Sequence, residues 1–195
     1  MLRNCDADFP RHGGYLVPDT ARVAAWRARL AALGPGLKVG VSWRGGTPGT
    51  GQAARSLPLD ELLPLLTLPN AHFVSLQYGP ASAEIAALNA RHGSALHDWL
   101  PPVTDMDEVA ALIAGLDLVV TVCTTVAHLS GALGKAAWVM VPAVAEWRYL
   151  ESGSEIPWYP ALRLFRQPRL NEWDDVIASI RSELQQRVAA TGAVG

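Results

Sequence analysis

Residues 119–135, VVTVCTTVAHLSGALGK, end an apolar run at two threonines and continue as a helical pattern with a histidine near its start. A strand that turns into a helix leaves the first helical N–H groups without main-chain partners, and the helix dipole adds partial positive charge there. Thr124 and Thr125 stand at that junction. Their hydroxyls either cap the helix or join those N–H groups in donating to an anion. His128 lies one turn further on and can reach the same place. Three polar groups converging at one strand end suit a diphosphate.

Two other stretches carry comparable groups. In WRGGTPGTGQAARS (43–56), Arg44 and Arg55 bracket glycines, among them Gly45 and Gly46, that let backbone approach a ligand closely. Gly46-x4-Gly51 is followed by Gln52 rather than by Lys and Ser/Thr, so the nucleoside-triphosphate loop pattern fails. The dinucleotide fingerprint Gly-x-Gly-x-x-Gly is missing too, and a plain surface loop is the competing reading. In SLQYG (75–79), Gln77 either reads a base edge or caps its strand.

For these residues to meet, the intervening elements must carry them to one end of a sheet. Residues 18–33 space Val23, Trp26, Leu30 and Leu33 at helical intervals. Apolar, β-rich runs follow at 38–43, 72–77, 117–122, 136–142 and 163–167, with a weaker one at 94–99. Helical patterns fill 57–68, 80–93, 105–116, 124–134 and 172–190. Strands alternating with such helices predict βαβ units: an α/β, Rossmann-like, three-layer parallel sheet. The continuous apolar runs 118–122 and 137–141 are what strands covered on both faces require. Ligands in such sheets bind outside the carboxyl ends of the strands, where the segments above fall. The expected organisation is a lead-in segment and helix over 1–36, the Rossmann-like domain over 37–190 and a tail over 191–195.

Composition narrows the function. Apolar residues make up 50% of the chain and charged ones only 17%, which is a globular composition. With 16 basic against 18 acidic residues and no basic stripe, nucleic acid is not an expected partner. No apolar run approaches the ~20 residues that span a bilayer, and no signal-peptide core is present, so a cytoplasmic protein without a membrane span is expected. Cys5 and Cys123 form no Cys-x-x-Cys pair and no metal-ligand spacing.

VCTTVAHLSGALGKAAWVMVPAVAEWRYL, PWYPALRLFRQ and the Trp-containing last helix, with KVGVSWRGG, RSLPLDELLPLL and HFVSLQYG, resemble the C-terminal, donor-binding half of GT-B glycosyltransferases. The likeness is nearest to the heptosyltransferase-like domain at the end of bacterial tetratricopeptide-repeat proteins, and it runs from about residue 8 to 188. It implies one half of a GT-B fold and a nucleotide diphosphate sugar as substrate. Arg44, Gly45, Gly46, Arg55, Gln77, Thr124, Thr125 and His128 would surround that donor. Such enzymes need no metal or other cofactor, and the chain has no Asp-x-Asp motif. Where the family's strand ends in Asp-Thr-Gly, this chain has Cys123, Thr124 and Thr125, so a thiol replaces an acid. Glu84 roughly matches a ribose-contacting acid, and a solvated helix face is the other reading of it.

In the family the general base usually comes from an N-terminal domain. The first core strand here starts at residue 38, so these 195 residues leave no room for one, and no residue is assigned as catalytic. The expectation is a metal-independent, donor-binding domain incomplete for catalysis alone. It would need that second domain or self-association. The apolar face of the last helix (Trp173, Val176, Ile177, Ile180, Leu184) would pack on its own sheet or on a second copy. Two other classes remain: a non-catalytic interaction or regulatory module, which would bind no nucleotide, and an NAD- or flavin-dependent enzyme, disfavoured by the missing glycine fingerprint.

Overall fold

The computed structural model describes residues 8–192 except 10, 48, 50, 94, 95 and 100–104. Cys5 lies outside the described residues. Five parallel strands, β1 (Leu37–Ser42), β2 (Ala71–Ser75), β3 (Leu118–Val122), β4 (Ala137–Val141) and β5 (Leu162–Arg166), pair in the order β2-β1-β3-β4-β5. Val39 pairs with Leu118, Val120 with Trp138 and Val139 with Leu164. Every residue of β1, β3 and β4 is buried, Lys38, Ser42 and Thr121 included, as central strands covered on both faces are.

Alternation along the strands sorts the core into two layers. Val39, Val41, Val120, Met140 and Phe165 pack with α3 (Ser82–His92), α6 (Asp174–Gly192) and the 59–66 segment. Val119, Val139 and Leu164 face the opposite way, onto α1 (Thr20–Ala31), α4 (Met106–Gly115) and α5 (Thr125–Ala132). The Rossmann-like three-layer fold is therefore present.

The elements differ from expectation in several places. Residues 57–68 are not one helix but a 3-10 turn at Leu59–Leu62 followed by a single α turn, α2 (Leu63–Leu66). Pro64 sits at its start, and its missing N–H and fixed φ break a continuous hydrogen-bond ladder there. Of the weak strand at 94–99, the described residues 96–99 keep only an isolated bridge, His97 to Val74. Between β4 and β5 the described chain has no α-helix, only a 3-10 turn at Trp147–Tyr149.

The lead-in packs into the same body as the sheet. Tyr15 and Leu16 N–H groups both donate to the Ala132 carbonyl, at 2.7 and 2.9 Å. Leu30 of α1 is buried with the α4 side chains, and Trp26 Nε1 donates to Glu108 at 2.8 Å.

The apolar face of α6 finds its own sheet. Trp173, Val176, Ile177, Ile180 and Leu184 are all buried in the layer that holds Trp138 and Phe165, and Arg163 of β5 pairs with Glu183 at 2.8 Å. Ile180→Ala should cost about 2–5 kcal/mol of unfolding free energy, the scale of a buried large-to-small change. Chemical denaturation checks this, and a loss near zero would mean that α6 does not dock as described.

Candidate functional site

Strand order reverses at β1, with β2 on one side and β3 to β5 on the other, so a crevice opens between the loops that leave β1 and β3. Its volume is about 1010 Å³. At its floor, the register partners Ser42 and Thr121 bring their hydroxyls within 2.5 Å of each other. Arg44, Gly46, Arg55, Gln77, Thr124, Thr125 and His128 all line it.

Gln77 is held by backbone. Its Oε1 accepts from the N–H groups of Trp43 and Arg44 at 2.9 and 2.8 Å. Its Nε2 donates to the carbonyls of Arg44 and Tyr78 at 3.2 and 2.9 Å. The two amide hydrogens and both carbonyl lone pairs are thus used by backbone, and the side chain staples the β1 loop to the end of β2.

Gly45 is also structural. A Cβ there would stand 2.8 Å from the Cys123 carbonyl oxygen and 2.9 Å from Thr124 Cγ2, so the glycine lets loop meet loop rather than ligand. Gly46, with φ of 77°, takes the left-handed conformation that glycine adopts without strain.

Arg44 pairs with Glu84 and donates to the Pro80 carbonyl at 2.9 Å. Glu84 also accepts from Trp43 Nε1 at 3.2 Å. Glu84 is therefore a buttress for the arginine, not a freely solvated helix residue. Arg55, only 12% exposed in its side chain, pairs with Glu146, which also takes Arg148. Neither Glu146 nor Arg148 stands out in sequence. The usable signal was position alone: AEWR follows an apolar strand at its carboxyl end.

The two threonines divide the readings proposed for them. Thr124 is the N-cap of α5, its hydroxyl accepting from Val126 N–H at 3.1 Å. Thr125 occupies the first helical position, is exposed and lines the crevice at the positive end of the helix dipole. His128 is half-buried on the crevice wall, and burial first, then Arg148, hold its pKa below the ordinary imidazole value.

Cys123 is 2% exposed and donates to the Met140 carbonyl at 3.7 Å. Burial pushes its thiol up to about 12, so the site carries no negative charge there. Leu76, Pro80, Met106 and Val109 form an apolar wall. Among the described residues no three His, Cys, Asp or Glu side chains gather as a metal site. Chemically the crevice offers guanidinium groups and a helix N-terminus beside apolar side chains.

Two outcomes follow from this geometry. Thr124→Ala should lower stability by about 1 kcal/mol, the value of a lost cap, while Thr125→Ala should change it by less than about 0.5 kcal/mol. Equal losses, read by denaturant melts, would contradict the division of roles. His97 and His128 both have lowered pKa values, chiefly through burial. The unfolded chain therefore binds protons more readily than the folded one near 6.5. Stability should be full above that value and decline as pH falls through it. A melting temperature that does not fall between about pH 7.5 and about pH 5.5 would oppose this.

Comparison with known proteins gives the geometry a context. Residues 61–137 match the family model for glycosyltransferase family 9 (heptosyltransferase). Protein FlbA of Caulobacter vibrioides is 34% identical over 194 residues; the match covers 97% of this chain and 32% of FlbA, so the chain spans about a third of that relative. E. coli ADP-heptose lps heptosyltransferase II superposes with a TM-score of 0.58 at 18% identity, over 88% of this chain and 54% of the enzyme. For E. coli heptosyltransferase WaaC with ADP the TM-score is 0.53 at 18% identity, over 84% and 48%. The glycosyl transferase family 9 structure from Veillonella parvula gives 0.53 at 11%, over 91% and 52%. The chain thus spans about half of each structure, and its parallel α/β fold is similar to that half of each of them.

Proposed function

We propose that this chain is the donor-binding domain of a metal-independent glycosyltransferase and holds a nucleoside diphosphate sugar in the β1/β3 crevice. The observation that carries this is that Arg55 and Arg148, which meet at Glu146, line one crevice together with Arg44, the first turn of α5 and the apolar side chains of Leu76, Met106 and Val109. Cations and helical N–H groups suit the diphosphate, and the apolar wall suits a flat base. The structure of the fold relative WaaC with ADP supports a nucleotide as the occupant.

In transfer, the bond between the sugar's anomeric carbon and the diphosphate oxygen breaks, and its electron pair leaves with the nucleoside diphosphate. Charge grows on that oxygen. Fixed arginines and helix N–H groups stabilise it more than they stabilise the ground state, which lowers the barrier without a metal. Glu84 and Glu146 hold the arginines in place, and phosphate oxygens compete with these carboxylates for guanidinium N–H groups. Acceptor and general base are assigned to a second GT-B domain or a partner copy. Tyr78, Val144 and Trp147, exposed by 69, 76 and 74%, give such a partner apolar surface close to the crevice-lining segments.

Calorimetric titration with ADP, UDP, GDP and CMP tests the proposal. One of them should bind with a Kd in the micromolar-to-millimolar range, about −8 to −4 kcal/mol. Thr125→Ala should weaken it by about 1–3 kcal/mol, the value of hydrogen bonds to a charged group. Sugar transfer by the chain alone should be undetectable, because the in-line orientation of acceptor and base is absent. Robust transfer would put the base within these residues. Failure of every nucleotide to bind would favour a non-catalytic interaction module, a reading that the neutral thiol of Cys123 and the internally paired arginines favour.

A further inference from the structure

His128 carries the imidazole of the crevice wall, and phenols flank it. Its ring centroid lies 5.9 Å from that of Tyr149 and 5.7 Å from that of Tyr159. Its Nε2 is 3.4 Å from the Tyr149 hydroxyl. Tyr149 is 1% exposed, so its hydroxyl must find a partner inside the protein. Two neighbours compete for the phenolic proton, His128 Nε2 and the Cys123 sulfur.

Chemistry separates them. The thiol already donates to the Met140 carbonyl, and its sulfur is a weak acceptor, whereas an unprotonated imidazole nitrogen is a strong one. Burial keeps the Tyr149 hydroxyl protonated, and burial with Arg148 keeps His128 neutral. A neutral imidazole has one N–H and one lone pair. If Nε2 spends its lone pair on the phenol, the hydrogen sits on Nδ1.

We propose that Tyr149 is a positioning residue that fixes His128 as the Nδ1–H tautomer, making the imidazole a hydrogen-bond donor to an oxygen of the anionic group bound in the crevice. The ligand half of this inference rests on the donor-binding reading; the tautomer half rests on the contacts of the ring alone. The residue thereby distinguishes an acceptor-rich diphosphate from a ligand that offers a donor at the same place.

The test has two arms. In the 15N-labelled, ligand-free chain at about pH 8, where imidazole is neutral, long-range proton–nitrogen NMR should show His128 with a protonated Nδ1 and a bare Nε2. Tyr149→Phe should replace this by a tautomer mixture. A wild-type spectrum with the hydrogen on Nε2 overturns the proposal, whether or not nucleotide binds. The second arm is titration with ADP. His128→Asn keeps an N–H near the Nδ1 position and should retain most of the affinity. His128→Gln places its amide near Nε2 and should raise Kd about three- to tenfold, as should Tyr149→Phe. Equal losses for Asn and Gln overturn the donor role, and this pair decides the matter if Tyr149→Phe does not fold. A wild-type chain that binds no nucleotide defeats the donor-binding reading and the ligand half here, while the spectrum still decides the tautomer.

Discussion

Parallel pairing of β1 with β3, with β2 on the far side, is the constraint from which the rest of the molecule follows. Two adjacent strands whose continuations diverge to opposite faces cannot both be covered at their carboxyl ends, so a gap is left between their loops. Several of the buried polar side chains lie at that end. Ser42, Thr121 and Gln77 are buried, and each is satisfied by a partner across the β1/β3 or β1/β2 seam. Unpaired, each would cost a few kcal/mol inside an apolar layer. The seam is therefore stitched by hydrogen bonds where apolar packing runs out.

Above that floor, the crevice is built by opposing charges placed on different loops. Arg44 and Glu84 join the β1 loop to α3, and Arg55 and Arg148 meet at Glu146 after β4. Partly exposed pairs of this kind contribute little to stability. Their value is geometric: each guanidinium is held by a carboxylate at the wall rather than left to sample solvent. The β4 to β5 connection, which has no α-helix among its described residues, leaves Glu146, Arg148 and Tyr149 free to reach this wall.

Most of the fold was legible because short, nearly continuous apolar runs alternate with amphipathic stretches of period 3.6 in this chain. All five apolar runs that became strands are short, and Gly34, Gly93 and Gly134 follow α1, α3 and α5. The 57–68 stretch misled because its leucines keep helical spacing while Pro64 forbids the hydrogen bond that spacing needs. At the site, Thr124, Thr125, His128, Arg44 and Arg55 could be found from local pattern, since a strand-to-helix junction and a glycine loop both mark themselves. Glu84 was ambiguous because its partner, Arg44, is forty residues away. Gln77 stayed undecided for a similar reason: an amide can serve backbone or ligand, and only the folded loop shows that backbone takes all of it. Glu146 and Arg148 sit in a connection without periodicity, where sequence pattern carries no signal.

The contact between the lead-in and α5 has a consequence for the motion of the helix N-terminus at the crevice. An eight-residue helix is too short to hold itself together in water, and nucleation alone makes it unfavourable. This one is pinned at both ends. Thr124 closes its start, and the Tyr15 and Leu16 N–H groups bind the Ala132 carbonyl in its last turn. Backbone at Gly13 lies so close against Gly134 that a side chain at Gly134 could not fit. Fraying from the far end would spread through two turns to the residues that face the crevice. A strap from the beginning of the chain thus damps the fluctuations of a site made by its middle, and the entropy lost on ordering that helix is met during folding rather than when a ligand arrives.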